Sequence, residues 1–362
     1  MYSDFKFKDF GFDLPQELFV NDSLRKTEDV RLIVVDAENR TIKQDMFTNV
    51  INYFDRNDVL VFNNSGISAS RLSAKLPNGE IVDICFLMQN QEDEAIWESV
   101  VLYEGANPIG SEFVMDGGIK GVILKKTSDF DGGYWVEKDR YEGFRGLVKV
   151  DVDANILREV LSEKGKLMHP WYADLNKMNK SMLNPITSSK AGSVLLSEPG
   201  RRITPKMLEI LTEKGVGFMN PTLNMSFSWQ VVQAEQRLVD YHMNYEEFEM
   251  NQENIDILND AIKNNKRIIS VGTSGARILE SLETPPKAIN SRTNLFISPG
   301  FKLKYTDGLL TNLHNSMGTH VIMASAFADR EIIIEACNIA VKEGYRFGIH
   351  GDSMLILGNR NR

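Results

Sequence analysis

Two apolar runs near the start of the chain, RLIVVD at 31–36 and DVLVFNN at 58–64, predict buried strands that end in polar residues. From Ser65 to about Asp153 the pattern changes. Short β-rich pieces (EIVDICFLM, AIWESVVLY, GVILKK) alternate with Gly, Asn and Asp turns, including Asp116-Gly117-Gly118 and Asp131-Gly132-Gly133, and no helical period shows. This predicts a small all-β barrel over 65–153, inserted into a main domain formed by 1–64 and 154–362. The helical period returns with NILREVLSEKG, where Asp153 can cap and Gly165 can stop the run. In ITPKMLEILTEKG, Thr204 fits the N-cap, Pro205 the first turn and Gly215 the left-handed position after the end. Ile255, Leu258, Ala261 and Ile262 form a further stripe before the strand RIISV, and Asp329 opens a helix with Ile332, Ile333, Ala336, Cys337 and Ala340 inward. The fold class is α/β, with a β-rich insertion.

Composition narrows the function. The chain has 362 residues, enough for one large domain or two moderate ones. No apolar run is long enough to span a bilayer, and the start, MYSDFKFKDFGFDLP, lacks a signal core; a cytoplasmic protein is expected. Cys85 and Cys337 are too few for a disulfide framework, and the five histidines are scattered, His314 and His320 being six apart and off any one helical face. No metal site is expected. A formal charge of −9 argues against a general nucleic-acid coat. It leaves room for a local basic patch: nine Lys or Arg, among them Lys177, Lys180, Lys190, Arg201, Arg202 and Lys206, face five acids between Leu161 and Lys214. From Glu235 to Asp260 eight acids accompany Arg237 alone, and two solvated faces of opposite sign are the plainer reading of both stretches.

Candidate chemistry concentrates between Phe296 and Leu357, where Pro299-Gly300, Asp307-Gly308 and Gly351-Asp352 interrupt short apolar runs beside Asn312, His314 and Arg346. RIISVGTSGARILES is a strand, a Gly-rich turn and a helix. Gly272 and Gly275 permit a tight turn, Thr273 and Ser274 supply hydroxyls, and the helix start can hold a carboxylate or phosphate. The spacing matches neither the dinucleotide fingerprint nor the P-loop, and a plain connection is the alternative. Arg277 can pair with an anion at the turn or with Glu280 on the surface. His314 can serve as acid or base near neutral pH, or as an ordinary hydrogen-bonding residue. Asp352 can hold a ribose hydroxyl or cap a turn. Trp171 and Tyr172 can stack on a base or belong to the core.

VFNNSGISASRL, RIISVGTSGARILES, FISPGFKLKYTDGLLTNLH, SAFAD and YRFGIHGDSMLI together resemble, in order and over essentially the whole chain, the S-adenosylmethionine:tRNA ribosyltransferase-isomerases of queuosine biosynthesis. The resemblance implies an α/β domain carrying a small β-barrel. It also implies an activity: the ribosyl group of S-adenosylmethionine is transferred and isomerised onto 7-aminomethyl-7-deazaguanine in tRNA. Epoxyqueuosine forms, and adenine and methionine leave. A sulfonium acidifies the neighbouring ribose C–H, so a positioned base can start the reaction, and an acid can protonate departing adenine. The retained segments imply a cosubstrate site built from Asn63, Asn64, Gly272, Thr273, Ser274, Gly275, Arg277, Pro299, Gly300, Asn312, Arg346 and Asp352.

Departures from the family pattern are as informative. Where the family reads NNTRV, this chain has Asn63, Asn64, Ser65, Gly66 and Ile67; where it reads PTAGLHF, SEPGRRI places Glu198 and Arg202 at the Thr and His positions. A Thr-Leu-His motif ends in Asn224, the Gly-rich turn after it becomes SFSW, and a Met-His-x-Glu motif keeps only Glu246 behind Asn244. VGTTSVR keeps Gly272, Thr273 and Arg277 but has Gly275 for Ser. An amide does not titrate, so Asn cannot replace a proton-carrying histidine. Glu246, Asp307 and His314 are therefore the expected acid–base residues, with solvation in the run EEFE as the alternative for Glu246. A carboxylate shielded from water can have a pKa raised toward neutrality. Two further readings stay open: a paralogue using a small acceptor or cleaving S-adenosylmethionine alone, and a silent protein that binds the cosubstrate or tRNA. Gly275→Val is expected to weaken cosubstrate binding while the fold survives.

Overall fold

A computed structural model describes residues 4–19, 25–130, 142–169, 175–178, 183–195, 197–227 and 232–358. Its centre is a seven-stranded sheet in the order Gly217–Met219, Asp58–Phe62, Arg267–Val271, Gly308–Asn312, Ser353–Leu357, Arg31–Asp36 and Thr41–Met46. The first four strands run parallel; Ser353–Leu357 is antiparallel to Gly308–Asn312. Both faces are covered, which is why these strands read as continuous apolar runs. Ile33 and Val35 pack with Ile332, Ile333, Ala336, Cys337 and Ala340 of the helix Arg330–Lys342. Leu32 and Val34 face the other way, onto Phe47, Val50, Met207 and Leu211.

Helix ends follow the local chemistry. The Asp153 side chain accepts from the N–H of Asn155 and Ile156 at 2.8 and 3.1 Å ahead of helix Ala154–Lys164. The Thr204 hydroxyl accepts from Met207 N–H at 3.2 Å ahead of helix Pro205–Glu213, and Gly215 takes φ 78° beyond its end. Along helix Gln252–Lys263, Ile255, Leu258 and Ala261 are buried, but Ile262 is exposed at the edge of the stripe. Helix Thr319–Phe327 is missing from the sequence reading because it is apolar on nearly every side and shows no face.

Six antiparallel strands, Arg71–Lys75, Ile81–Gln89, Ile96–Tyr103, Glu112–Met115, Lys120–Asp129 and Glu142–Val150, pair in a closed ring. No α-helix occurs among the described residues from 65 to 150. Ser65–Ile67 stands outside the ring, paired in parallel with Lys190–Ser193. A third sheet joins Thr222–Leu223, Glu246–Met250 and Ile289–Thr293.

Candidate active site

Strands Asp58–Phe62, Arg267–Val271 and Gly308–Asn312 finish at one edge of the sheet, and the antiparallel strand starts there, Ser353 facing Asn312. Asn63, Asn64, Gly272, Asn312 and Asp352 therefore share a rim. In open α/β sheets ligands bind at this carboxyl edge. Asp307 precedes its strand and lies at the opposite edge, roughly 15 Å away at ~3.3 Å per residue. Its carboxylate accepts from Ile268 N–H at 2.8 Å, and its N–H donates to Ile268 O at 2.7 Å. Asp307, expected as an acid–base residue, thus stands away from the rim and ties the start of its strand to Ile268.

Gly272, at φ 89°, occupies a conformation that side chains avoid, and helix Thr273–Ser281 begins immediately after it. Ser270 Oγ accepts from Ala276 N–H at 2.8 Å and donates to Gly272 O, closing the turn from below. Gly275 faces the sheet. A Cβ there would stand 2.6 Å from Ser270 Oγ and 3.1 Å from Val61 Cγ1, so this glycine permits helix–strand contact and does not clear space for a ligand. The expectation that Gly275→Val spares the fold is corrected accordingly.

Arg277 is buried and pairs with Glu246, not Glu280. Its Nε and Nη2 donate to Leu295 O and Thr293 O at 3.2 and 3.3 Å. Glu280 instead accepts from the N–H groups of Lys304, Tyr305 and Thr306 at 2.6, 3.0 and 2.9 Å, fixing the approach to Asp307. Glu246 also accepts from Ser226 N–H and is 3% exposed, so solvation in an acidic run does not describe it.

Glu246 lines a cavity of about 800 Å³ between the six-stranded ring and the two smaller sheets, those of Lys190–Ser193 and Glu246–Met250. Asn224, Asn184 and Gly192 line it beside Glu246; Phe86, Trp97 and Arg158 line it from the ring and from helix Ala154–Lys164. The Phe86 and Trp97 rings meet edge to face at 5.8 Å, Arg158 stands over Trp97 at 5.7 Å, and Trp97 Nε1 has no partner. Departures from the family pattern meet here. Ser65 Oγ donates to Asn224 Oδ1 at 2.9 Å, and a Cβ on Gly66 would come within 2.9 Å of the Asn184 side chain, whose Oδ1 accepts from Ile67 N–H at 2.7 Å. Buried Arg145 ties the ring to the body through Phe227 O and to Glu98 at 3.2 Å.

His314 leaves the strand end and His320 opens the next helix, which stacks their rings at 3.9 Å with planes 16° apart. Loop-to-helix geometry brings together residues that no single helix face would. Burial lowers His314 well below the ordinary imidazole value, with the His320 charge adding to it. Burial, then the Arg277 charge, lowers His320 to about 4. Burial thus favours the neutral form of both rings, the form in which an imidazole can accept a proton.

Several of the expected ligand residues also make hydrogen bonds within the rim. Asn63 donates to Leu223 O at 2.9 Å and accepts from Leu223 N–H and Ser65 N–H. Asn64 accepts from Ser189 N–H and Oγ at 2.8 and 2.9 Å, and Asn312 donates to Ile349 O at 3.0 Å. Asp352 accepts from Arg31 N–H, Arg346 N–H and Arg25 Nη1 at 2.7, 2.7 and 2.8 Å. The exposed Arg346 side chain reaches Glu17 O, and Pro299 and Gly300 form a turn closed by Phe301 N–H to Ser298 O. Gly272, Thr273, Ser274 and Arg277 remain at the rim. Trp171, Tyr172, Lys180 and the Lys177 side chain lie outside the described residues. Of the basic stretch, Lys190 and Lys206 pair with Glu249 and Glu209, while Arg201 and Arg202 point inward.

Sequence reasoning missed a second buried cluster. Glu198 accepts on both oxygens from Nε and Nη2 of Arg201, with His350 Nδ1 and Arg202 Nη2 each 3.3 Å from its Oε1. Burial raises the Glu198 carboxyl, but Arg201, His350 and Arg202 outweigh it and hold the group at about 2. The available signal was the coincidence of two departures in SEPGRRI with the one histidine in YRFGIHGDSMLI. Among the described residues no group of three or more His, Cys, Asp or Glu could hold a metal, and no helix is long and apolar enough to cross a membrane.

Residues 7–356 match the family model described as queuosine biosynthesis protein. The S-adenosylmethionine:tRNA ribosyltransferase-isomerase of Halothermothrix orenii is 30% identical over 357 residues, covering 97% of this chain and 100% of that protein. The one from Clostridioides difficile is 31% identical over 357 residues, covering 97% and 99%. The crystal structure of S-adenosylmethionine tRNA ribosyltransferase from Thermotoga maritima superposes with a TM-score of 0.52 at 25% identity, covering 96% of this chain and 100% of that one. With a whole-length family match, an α/β sheet whose carboxyl rim adjoins a cavity, and an Arg-held glutamate in its wall, this chain belongs to the queuosine biosynthesis protein family.

Proposed function

We propose that this chain transfers and isomerises the ribosyl group of S-adenosylmethionine onto 7-aminomethyl-7-deazaguanine in tRNA. The observation that carries this reading is Glu246. It keeps its place in the family motif, lines the cavity and is held there by Arg277 and the Ser226 amide. Glu246 is the base for the ribose C–H beside the sulfonium, and Arg277 is its positioning residue. The Phe86 and Trp97 wall supplies apolar faces on which a planar heterocycle can lie. Thr273 and Ser274 present the helix start toward an anionic group of the cosubstrate. The His314–His320 stack, whose neutral form burial favours, stands within the field of Arg277.

The ring of six strands, with helix Ala154–Lys164 whose Leu157 and Leu161 pack in its core, acts as an inserted barrel domain running from about Arg71 to Lys164. Its role is to form the far wall of the cavity. The chain acts in the cytoplasm on tRNA. The test is incubation with S-adenosylmethionine and tRNA carrying 7-aminomethyl-7-deazaguanine, with mass spectrometry of adenine, methionine and digested tRNA. Epoxyqueuosine in the tRNA with stoichiometric adenine is expected. Adenine release at the same rate without tRNA, or binding without turnover, would contradict the assignment.

A further inference from the structure

Around Arg202 the structure leaves polar atoms without protein partners in a place that water does not reach freely. Arg202 is 1% exposed, and its Nε and Nη1 have no partner; His350 is fully buried, and its Nε2 has none. Native interiors satisfy nearly all such atoms, so three orphans in one cluster call for an occupant. The charges indicate its sign. Glu198 is matched by Arg201, and Asp352 by Arg25 at 2.8 Å. That leaves Arg202 as the surplus cation: its Nη2 donates to the neutral Gly351 carbonyl at 2.5 Å and stands 3.3 Å from a Glu198 carboxylate that Arg201 already neutralises. Three guanidiniums face two carboxylates.

The cluster borders the rim. Ser197 precedes Glu198, and its Oγ stands 3.9 Å from where a Cβ on Gly272 would lie. His350 follows Ile349, whose carbonyl accepts from Asn312 at the end of the neighbouring strand. The cluster therefore adjoins the helix start after Gly272 through Ser197.

We propose that Arg202, with His350 beside it, is a binding subsite for a carboxylate. Resting on the enzymatic reading above, the group it takes is the carboxylate of the methionyl moiety of S-adenosylmethionine. The unpartnered N–H groups of Arg202 donate to the carboxylate oxygens, and Glu198 holds Arg201 and His350 in place around them.

The test is calorimetric titration of the full chain with S-adenosylmethionine and with its decarboxylated analogue, which keeps the adenosyl sulfonium and lacks only the carboxylate. The parent should prefer S-adenosylmethionine by about 10- to 100-fold, the range of a charge-assisted hydrogen bond. Arg202→Met should reduce that preference to near unity, and Arg202→Lys, which keeps the charge but not the donor geometry, should lose most of it. Melting curves establish that each variant is folded, and Arg202→Lys serves if the Met variant is not. No preference in the parent, as a water-filled pocket would give, or an undiminished preference in folded Arg202 variants, overturns the subsite. If the parent binds neither compound, the enzymatic reading fails, and acetate then decides the subsite. A rise in melting temperature with acetate in the parent, absent from the Arg202 variants, supports it; equal responses overturn it.

Discussion

The two edges of the central sheet carry similar residues in different employment. At the amino edge, Asp58 pairs with Arg267 at 2.7 Å and Asp307 accepts the Ile268 amide, so each buried carboxylate meets a fixed structural donor. Beside the carboxyl rim, Glu246 on the three-stranded sheet is gripped by Arg277 but still lines a cavity, and Arg202 beside Glu198 keeps unpartnered donors. The polar groups at the amino edge hold strands in register; those beside the rim face a cavity or keep donors that a ligand could meet. Burial and residue type are alike in both regions, so the difference lies in which partners surround each group.

The largest effect that would break this contrast is at Glu246. Glu246→Gln keeps the shape of the side chain, and turnover measured as adenine release should fall by about 100-fold or more. Removing the charge also strands buried Arg277, so the melt should report a loss of about 3 kcal/mol. Turnover at the parent rate in the folded variant would move the chemistry elsewhere.

Gly275→Val should cost about 2–3 kcal/mol in denaturant midpoints, because the new side chain is driven into Ser270 and Val61. Parent-like stability with weakened S-adenosylmethionine binding would instead place Gly275 on the ligand side. Asp307→Ala should cost about 1–2 kcal/mol through the unpaired Ile268 amide, with turnover per folded molecule unchanged. A selective loss of turnover would erase the difference between the edges.

The smallest effect is the pH response of the histidine stack. His320 has a folded-state pKa lowered from 6.5 to about 4, so its neutral form is favoured in the fold. The unfolded chain binds more protons across that interval. The contribution is therefore fully present above pH 6.5 and is lost as pH falls toward 4. His320→Phe should flatten the stability profile in that window, and an unchanged slope would show that the stack does not couple to folding.

Much of the architecture was legible from periodicity: strands Arg31–Asp36, Asp58–Phe62 and Arg267–Val271, the helix capped by Thr204, and the inward face of Arg330–Lys342. Local signals suffice where one face is apolar and the ends are capped. The site was less legible because it depends on strand direction. Asp307 and Asn312 are five residues apart in sequence but stand at opposite edges of the sheet. Gly275 reads as a loop glycine until the helix is seen lying on Val61. The Glu198–His350 contact joins residues 152 positions apart, and no spacing rule reaches that far.

The central claim, that the cosubstrate binds at the carboxyl rim and its adjoining cavity, is tested most directly by hydrogen exchange of the parent protein with and without S-adenosylmethionine. Protection is predicted in peptides covering Ser65–Ala69, Leu223–Ser226, Glu246–Met250 and Gly272–Arg277, with none around Thr306–Gly308. Protection confined to the amino edge, or absent from the rim peptides at saturating ligand, would contradict it.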